Sequence, residues 1–194
     1  GATGHIAKNL IYYFSKNNSW YYSPVVGTNP CGETCLSAHD VCDLGSLVLP
    51  NFITGNVNTN WIKLENTIKL AVRFLDNTID LSKFPVKQID DIVKGSRAIG
   101  LGIMGFADML YKLRIPYNSE KALETADKIM KFISQSAMEA SKELANKKGV
   151  FPFIEKSIYK NKIKLRNSSL IAIAPTGSRS ILAETSPGIE PNFA

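Results

Sequence analysis

The residues best suited to chemistry in this sequence are an amide, a thiol and a carboxylate at alternate positions: Asn29, Cys31 and Glu33. In an extended segment alternate side chains point to the same side, so these three groups would share one face. Pro30 fixes its own φ and Gly32 permits unusual backbone angles, which suits a stiff loop tip that holds reactive groups close together. An ordinary surface turn is the alternative interpretation, because Asn-Pro and Gly are common in turns.

Two further cysteines follow this loop. Cys42 lies eleven residues after Cys31, and Cys35 lies between them. Together with His39 the three thiols could supply four zinc ligands. The spacings are not those of a zinc finger or ribbon, so we predict no metal site, and buried packing is the ordinary alternative for Cys35 and Cys42.

A second loop has the composition of an anion site. Residues Ser169 to Ala174 are predominantly apolar and predict a strand that is buried on both faces. The strand runs directly into a Gly/Ser/Thr loop at a predicted helix start, where free backbone N–H groups and the helix dipole favour phosphate. The candidate phosphate-binding residues are Thr176, Gly177, Ser178 and Ser180, with Arg179 adding positive charge. A plain strand-to-helix turn is the alternative.

The elements that must position these loops are mostly helical. Asn60 predicts the N-cap of a helix to about Asn77, and Asn118 or Ser119 predicts the cap of the longest helix, ending before Gly149. Shorter helices are predicted over His5 to Phe14, Val86 to Lys94 and Met104 to Leu113, and a brief strand over Leu47 to Leu49. Strands separated by long helical stretches, with no hairpin signal, predict an α/β fold with parallel pairing.

Glycines interrupt an apolar stretch at Gly100, Gly102 and Gly105. This spacing matches a dinucleotide-binding pattern, but no clear strand precedes it and the pattern alone is weak. Close packing of the backbone against a neighbouring element explains the glycines at least as well.

Composition excludes several classes of protein. With 194 residues, of which 44% are hydrophobic and 21% charged, the chain can bury one sizeable core. It has no stretch of about 18 or more apolar residues and no secretory signal, and three cysteines fit a reduced, cytoplasmic setting better than a disulfide framework. Much of the net charge of +6 comes from Lys147 to Arg166. Few aromatic residues interleave this basic run, so we predict a solvated face or attraction of small anions, with no nucleic-acid or membrane partner.

Five motifs, in order, resemble the large catalytic chain of ribonucleotide reductases. They are Asn29-Pro30-Cys31-Gly32-Glu33, Cys42-Asp43-Leu44-Gly45-Ser46, the stretch Arg97 to Asp108, Ala174-Pro175-Thr176-Gly177-Ser178, and Gly188-Ile189-Glu190-Pro191-Asn192-Phe193. The resemblance implies that residues 1–194 are the central part of a ten-stranded α/β barrel, with the active-site cysteine on an internal finger loop; residues 1–27 match less clearly.

The resemblance also implies a role for each candidate residue. Cys31 matches the thiyl-radical cysteine that abstracts the C3′ hydrogen of the ribose, and Glu33 matches the base that takes the 3′-hydroxyl proton. Asn29 matches the amide that holds the ribose hydroxyls, and Cys42 matches one of two reducing cysteines. The Thr176 to Ser178 loop matches the loop that binds the di- or triphosphate of the substrate.

The form of the motifs is most similar to the adenosylcobalamin-dependent class of the family, in which the cofactor makes the first radical. The alternative is a radical drawn from a separate metal-containing subunit. The implied partners are a ribonucleoside di- or triphosphate, the rest of the catalytic chain, a thioredoxin-like reductant and a second copy in a homodimer.

The sequence departs from the family in several places. No cysteine precedes Cys31, the C-terminal cysteine pair is missing, Cys35 has no assigned role, and Arg179 stands where an apolar residue is common. We therefore expect the chain by itself to be inactive and to represent one segment of a longer or split enzyme. A nucleotide-binding or assembly module without chemistry of its own is the alternative function.

Overall fold

The computed structural model describes residues 23–55 and 57–192 of the chain. The strands are β1 (Val25–Thr28), β2 (Cys35–Ser37), β3 (Leu44–Val48), β4 (Ile53–Thr54), β5 (Asn58–Thr59) and β6 (Gly100–Met104). The helices are α1 (Trp61–Leu81), α2 (Lys87–Ser96), α3 (Phe106–Lys112), α4 (Glu120–Lys148) and α5 (Gly177–Leu182), with 3-10 turns at Leu49–Phe52 and Pro152–Lys156. The predicted helix over His5 to Phe14 lies outside the described residues.

Side-chain caps begin the two long helices where the sequence predicts them. The side chain of Asn60 accepts a hydrogen bond from the Lys63 amide at 3.0 Å, and Ser119 accepts one from the Ala122 amide at 3.2 Å. Each cap satisfies one of the backbone N–H groups left free at a helix start. The two helices pack on each other through one apolar core, which includes Leu64, Ile68, Ile129 and Ile133.

The sheet that supports the site is parallel. Strand β3 pairs with β6 from Leu44–Gly100 to Val48–Met104, and on the other side of β6 Leu101 forms a parallel bridge with Ile171. Parallel pairing between distant segments confirms that part of the α/β prediction. The predicted strand over Ser169 to Ala174 is wrong as a continuous strand. Its backbone hydrogen bonds to β6 end after Ala172, and its other edge has no strand partner among the described residues.

Two antiparallel hairpins were not predicted. Strand β1 pairs with β2 and β4 pairs with β5, so the expectation of parallel pairing alone is wrong. The described residues contain three two-stranded sheets and do not form a closed barrel. Helices and strands of this mixture are consistent with the α/β class.

The glycines of β6 serve close packing, as one of the two sequence interpretations proposes. A Cβ atom on Gly102 would lie 2.3 Å from the carbonyl oxygen of Ala172, so only glycine lets the two backbones come this close. The strand itself was not predicted from the sequence, because glycine is depleted in strands. Every residue of β6 is buried.

Apolar residues of β3 and β6 face the helical layer. Leu47, Leu101 and Ile103 join α1 and α4 in the main core. A smaller cluster around Phe151 and Leu165 lies beside the end of α4. Among the helices of the described residues, none is both long and apolar enough to cross a membrane.

Candidate active site

The loop that carries Cys31 is the tip of the β1–β2 hairpin. Asn29 closes it: its side-chain Oδ1 accepts from the Thr34 amide at 3.0 Å, and its own amide donates to the Thr34 carbonyl at 3.1 Å. Gly32 has a φ of +83°, which favours glycine over residues with a side chain. The prediction of an extended segment is therefore wrong, and the alternative of a turn is correct.

Two of the three reactive groups at this tip differ sharply in exposure. Cys31 is exposed and its thiol is free. One carboxylate oxygen of Glu33, Oε2, is buried and has no hydrogen-bond partner among the described residues. A buried acceptor without a partner costs about 1–3 kcal/mol. Glu33 is thus arranged to accept a hydrogen bond from a group that the described residues do not supply.

Asn29, Cys31 and Glu33 all affect the pKa of the Cys42 thiol. Burial raises the pKa of its thiol, and the negative charges of Glu33 and Cys31 raise it further, while a hydrogen bond with the Asn29 side chain acts in the opposite direction. The structure therefore brings Asn29, Cys31, Glu33 and Cys42 together. The roles that the resemblance implies for these residues stay predictions. Cys35 differs, because burial alone raises the pKa of its thiol.

Within the described residues, no group of three or more His, Cys, Asp or Glu side chains is arranged to hold a metal ion. This holds for Cys31, Cys35, Cys42 and His39, the four residues of the zinc alternative. All three cysteines are free thiols.

The backbone beside Cys42 is anchored by a residue that the sequence analysis did not single out. Asp43 accepts a hydrogen bond from the Thr78 hydroxyl at 2.7 Å, and its carbonyl accepts from the Gly100 amide at 2.8 Å. Burial raises the pKa of the Asp43 carboxyl, partly offset by the Thr78 hydrogen bond. Helix α1 and strand β6 together fix the start of β3, and with it the position of Cys42.

The second predicted loop has two exposed and two buried members. Gly177 and Ser178 are exposed, whereas Thr176 and Ser180 are buried. The buried hydroxyls have partners within the chain: Thr176 Oγ1 accepts from the Gly188 amide at 2.8 Å, and the Ser180 hydroxyl donates to the Gly177 carbonyl at 2.9 Å. The groups left for a ligand are therefore the Ser178 hydroxyl and the backbone at the start of α5.

Among the described residues, a hydrogen bond links the second loop to the cysteine region. The guanidinium of Arg179 donates to the Leu44 carbonyl at 3.4 Å, and Leu44 is two residues after Cys42. The residue that departs from the family pattern thus joins the start of α5 to the start of β3.

The fold and site define an α/β protein with a free thiol on a hairpin tip, beside a carboxylate with one buried oxygen and a second thiol. The family model for the ribonucleotide reductase barrel domain matches residues 5–165. The chain belongs to the ribonucleotide reductase family. The loop Thr176 to Ser180 lies beyond the matched residues.

Similar proteins include two vitamin B12-dependent ribonucleoside-diphosphate reductases. That of Thermoplasma acidophilum is 48% identical over 88% of this chain, and that of Mycobacterium tuberculosis is 41% identical over 88%. The alpha subunit of the ribonucleoside-diphosphate reductase of Chlamydia muridarum is 34% identical over 86% of the chain. The chain spans only 20–24% of the length of these three relatives.

Proposed function

We propose that this chain is the radical-bearing segment of a ribonucleotide reductase that converts ribonucleoside diphosphates to deoxyribonucleotides. One observation carries the proposal: a hairpin tip gathers a free thiol, a buried unpaired carboxylate oxygen and an amide beside a second thiol. Family membership and the names of the two B12-dependent relatives support the reaction and the diphosphate substrate.

The chemistry of the residues suits this reaction. Cys31, as a thiyl radical, takes the hydrogen atom from C3′ of the ribose and becomes a thiol. Glu33 Oε2 accepts the 3′-hydroxyl proton while the 2′-hydroxyl leaves as water, which gives the buried oxygen the partner it lacks. Cys42 and a second cysteine outside this chain supply two electrons and two protons, and become a disulfide. Cys31 recovers its radical when the C3′ hydrogen returns to the sugar.

Asn29 has a positioning role in the proposed reaction. Its Oδ1 is occupied by the Thr34 amide, so its NH₂ group is the part left to reach Cys42 and a ribose hydroxyl. The same residue therefore fixes the loop that carries Cys31 and Glu33. Holding both groups in one geometry supplies much of the rate of a reaction between a radical and a single C–H bond.

Substrate phosphate is proposed to bind at the start of α5. Backbone N–H groups at Gly177 and Ser178 and the Ser178 hydroxyl offer donors to an anion, and Arg179 adds positive charge. Thr176 and Ser180 shape the loop, because their hydroxyls bond within the chain. Binding energy from the phosphates would hold the ribose over the thiol.

Adenosylcobalamin is the proposed radical source, on the names of the two B12-dependent relatives. When bound, it supplies the first radical. One feature of the site is compatible with this cofactor: the Cys31 thiol is exposed and can be reached from outside the loop. A separate metal-containing subunit is the alternative source, and the alpha-subunit relative supports it.

The wider assembly is also part of the proposal. The parallel β3–β6 pair would belong to a ten-stranded barrel, with the β1–β2 hairpin as its finger loop, completed by the rest of the catalytic chain. A thioredoxin-like protein would reduce the disulfide, and a homodimer is the proposed state. Three free thiols support the cytoplasm as the location.

A substitution at Cys31 tests the chemistry. In the full-length protein we expect Cys31→Ser to abolish turnover of CDP while CDP binding is unchanged, because serine cannot form the thiyl radical. Cys35→Ser is the matched control and should keep turnover, since no step uses Cys35. Residual turnover in Cys31→Ser comparable to that of the control would refute the proposal.

The exposure of Cys31 favours a second candidate function, a nucleotide-binding or assembly module without chemistry. A radical must be kept from water, and among the described residues the Cys31 side chain is not covered. Calorimetric titration with CDP, followed by a turnover assay with adenosylcobalamin and a dithiol, separates the two. Binding without turnover in the full-length protein supports the module.

A further inference from the structure

The loop proposed to bind phosphate contains a strained residue. Thr176 has a φ of +56°, in the left-handed region. A β-branched residue is rarely found there, because its side chain crowds the backbone. Such a conformation persists only where surrounding contacts enforce it.

Two hydrogen bonds enforce it. The Ser180 amide donates to the Thr176 carbonyl at 2.8 Å, which begins α5. The Gly188 amide donates to the Thr176 hydroxyl at 2.8 Å from a separate segment. Gly188 itself has a φ of +48°, and a Cβ atom there would lie 3.2 Å from the Ala174 carbonyl oxygen, so this segment packs directly on the loop.

A carboxylate on α3 is one of the groups that hold the segment containing Gly188, together with the Gly105 amide, which donates to the Ser186 carbonyl at 2.7 Å, and the Tyr117 hydroxyl, which donates to the Ile189 carbonyl at 2.6 Å. Asp108 Oδ2 accepts from the Thr185 hydroxyl at 2.7 Å and from the Ser186 amide at 2.6 Å. Asp108 Oδ1 accepts from the Asn192 side chain at 2.9 Å. One residue thus binds both ends of the Thr185 to Asn192 segment, with Gly188 between them.

We propose that Asp108 is a positioning residue for the phosphate-binding loop, acting through the Thr185 to Asn192 segment to hold Thr176 in its left-handed conformation. That conformation turns the chain so that the Gly177 and Ser178 side of the loop is exposed while the Thr176 side chain is buried. The inference rests on the proposed function, because it gives the loop a phosphate ligand.

The ionisation of Asp108 is consistent with this role. Burial acts to raise its pKa, but the hydrogen bonds from Thr185, Asn192 and Ser186 outweigh burial, and the pKa lies below its usual value. The carboxylate is therefore charged at neutral pH and can accept from all three donors, and hydrogen bonds to a charged acceptor are the stronger kind.

The test compares two ligands in the full-length protein, CDP and cytidine, by calorimetry. The wild type should bind CDP more tightly than cytidine because of the phosphates. We expect Asp108→Ala and Thr185→Val to weaken CDP binding about tenfold, the effect of losing a hydrogen bond to a charged group, with cytidine binding unchanged. Thr185→Ser keeps the hydroxyl and should restore the wild-type ratio of CDP to cytidine affinity.

Asp90→Ala is the matched control. Asp90 also lies in the first turn of a helix, α2, and pairs with Lys94, and within the described residues it makes no hydrogen bond or ion pair with the Thr185 to Asn192 segment. This control should leave both affinities unchanged. It therefore separates the loss of a helix-start carboxylate from the loss of the loop support.

Two results overturn the inference in distinguishable ways. A wild type that prefers CDP, with Asp108→Ala and Thr185→Val less stable but equally selective, shows that Asp108 is only structural. A wild type with no preference for CDP removes the phosphate loop from the proposed function and the inference with it. If Asp108→Ala does not fold, Thr185→Val and Thr185→Ser decide between these results.

Discussion

At the scale of single residues, the neighbours of Cys42 have opposite effects on the pKa of its thiol. Burial is the largest cause that raises its pKa, and the charge of Glu33 adds to it. The hydrogen bond with Asn29 lowers the pKa. A reducing thiol must keep its proton until the substrate needs it, so this balance bears directly on the proposed reaction.

The balance predicts opposite effects for two substitutions. In a Cys31→Ser/Cys35→Ser variant of the 194-residue chain, where Cys42 is the only thiol, Asn29→Ala should raise the pKa of Cys42 because it removes the hydrogen bond. Glu33→Gln should lower that pKa because it removes a negative charge. The rate of alkylation by iodoacetamide, measured against pH, reports both shifts, since only the thiolate reacts.

Glu65→Gln, a charge removal on the exposed face of α1, serves as the control and should leave the titration unchanged. Shifts of the same sign for the Asn29 and Glu33 variants would contradict the described arrangement. Such a result would mean that the hairpin tip does not contact Cys42 in solution.

At the scale of elements, strand β6 sets the distance between the two halves of the site. Strand β3 begins two residues after Cys42 and pairs with one edge of β6. The segment that leads to Thr176 bonds to the other edge, where Leu101 donates to the Leu170 carbonyl at 2.8 Å. Glycine at position 102 permits this approach, so the packing of β6 governs both loops.

Gly102→Ala tests this arrangement. The added Cβ would lie 2.3 Å from a backbone carbonyl, which cannot move aside as a flexible side chain could. We expect the free energy of unfolding to fall by about 1–3 kcal/mol, the usual cost of overpacking a buried site. Urea denaturation measures the change.

Gly27→Ala is the matched control, because a Cβ atom on Gly27 would have no neighbour within 4 Å. Its effect should remain within about 0.5 kcal/mol, as for ordinary surface substitutions. Equal losses for the two variants would show that the contact with Ala172 does not explain the effect, because Gly→Ala by itself lowers the entropy of the unfolded chain and favours the folded state.

At the scale of the whole molecule, one buried carboxylate joins segments far apart in the sequence. Asp76 is fully buried on α1 and accepts from the Arg97 guanidinium at 2.8 Å. Arg166, Asn167 and Lys148 also bond to it, at 3.2–3.3 Å. The network ties α1 to the end of α2, the end of α4 and the segment before Ser169.

This network also accounts for part of the basic run predicted to be a solvated face. Lys148 and Arg166 are paired with Asp76 and Asp80. The remaining lysines of the run are exposed: Lys147, Lys156, Lys160, Lys162 and Lys164. The absence of a nucleic-acid partner stays a prediction.

Removal of Asp76 should be strongly destabilising. Asp76→Ala leaves the Arg97 guanidinium buried without its main partner, and breaking a buried ion pair costs about 3–5 kcal/mol. The midpoint of thermal or urea unfolding measures the loss. Asp91→Ala, which breaks the exposed pair with Lys87, is the control and should have almost no effect, because exposed ion pairs contribute little. A small loss for Asp76→Ala would show that water replaces the network.

Features whose causes lie within a few residues could be predicted from the sequence. Asn60 and Ser119 mark helix starts because each cap bonds an amide three residues away. The candidate site residues around Cys31 were likewise found from the motif. Asn29 also closes its turn locally, and the Asn-Pro and Gly residues of this segment already indicated a turn.

The remaining features depend on contacts between segments that are distant in the sequence. Asp108 meets Thr185 across 77 positions of the sequence, and Asp76 meets Arg166 across 90. No local pattern marks such residues, because their partners are set by how the helices pack on the sheet. The same holds for β6, where glycines disfavour a strand until a neighbouring backbone, at Ala172, comes close enough to require them.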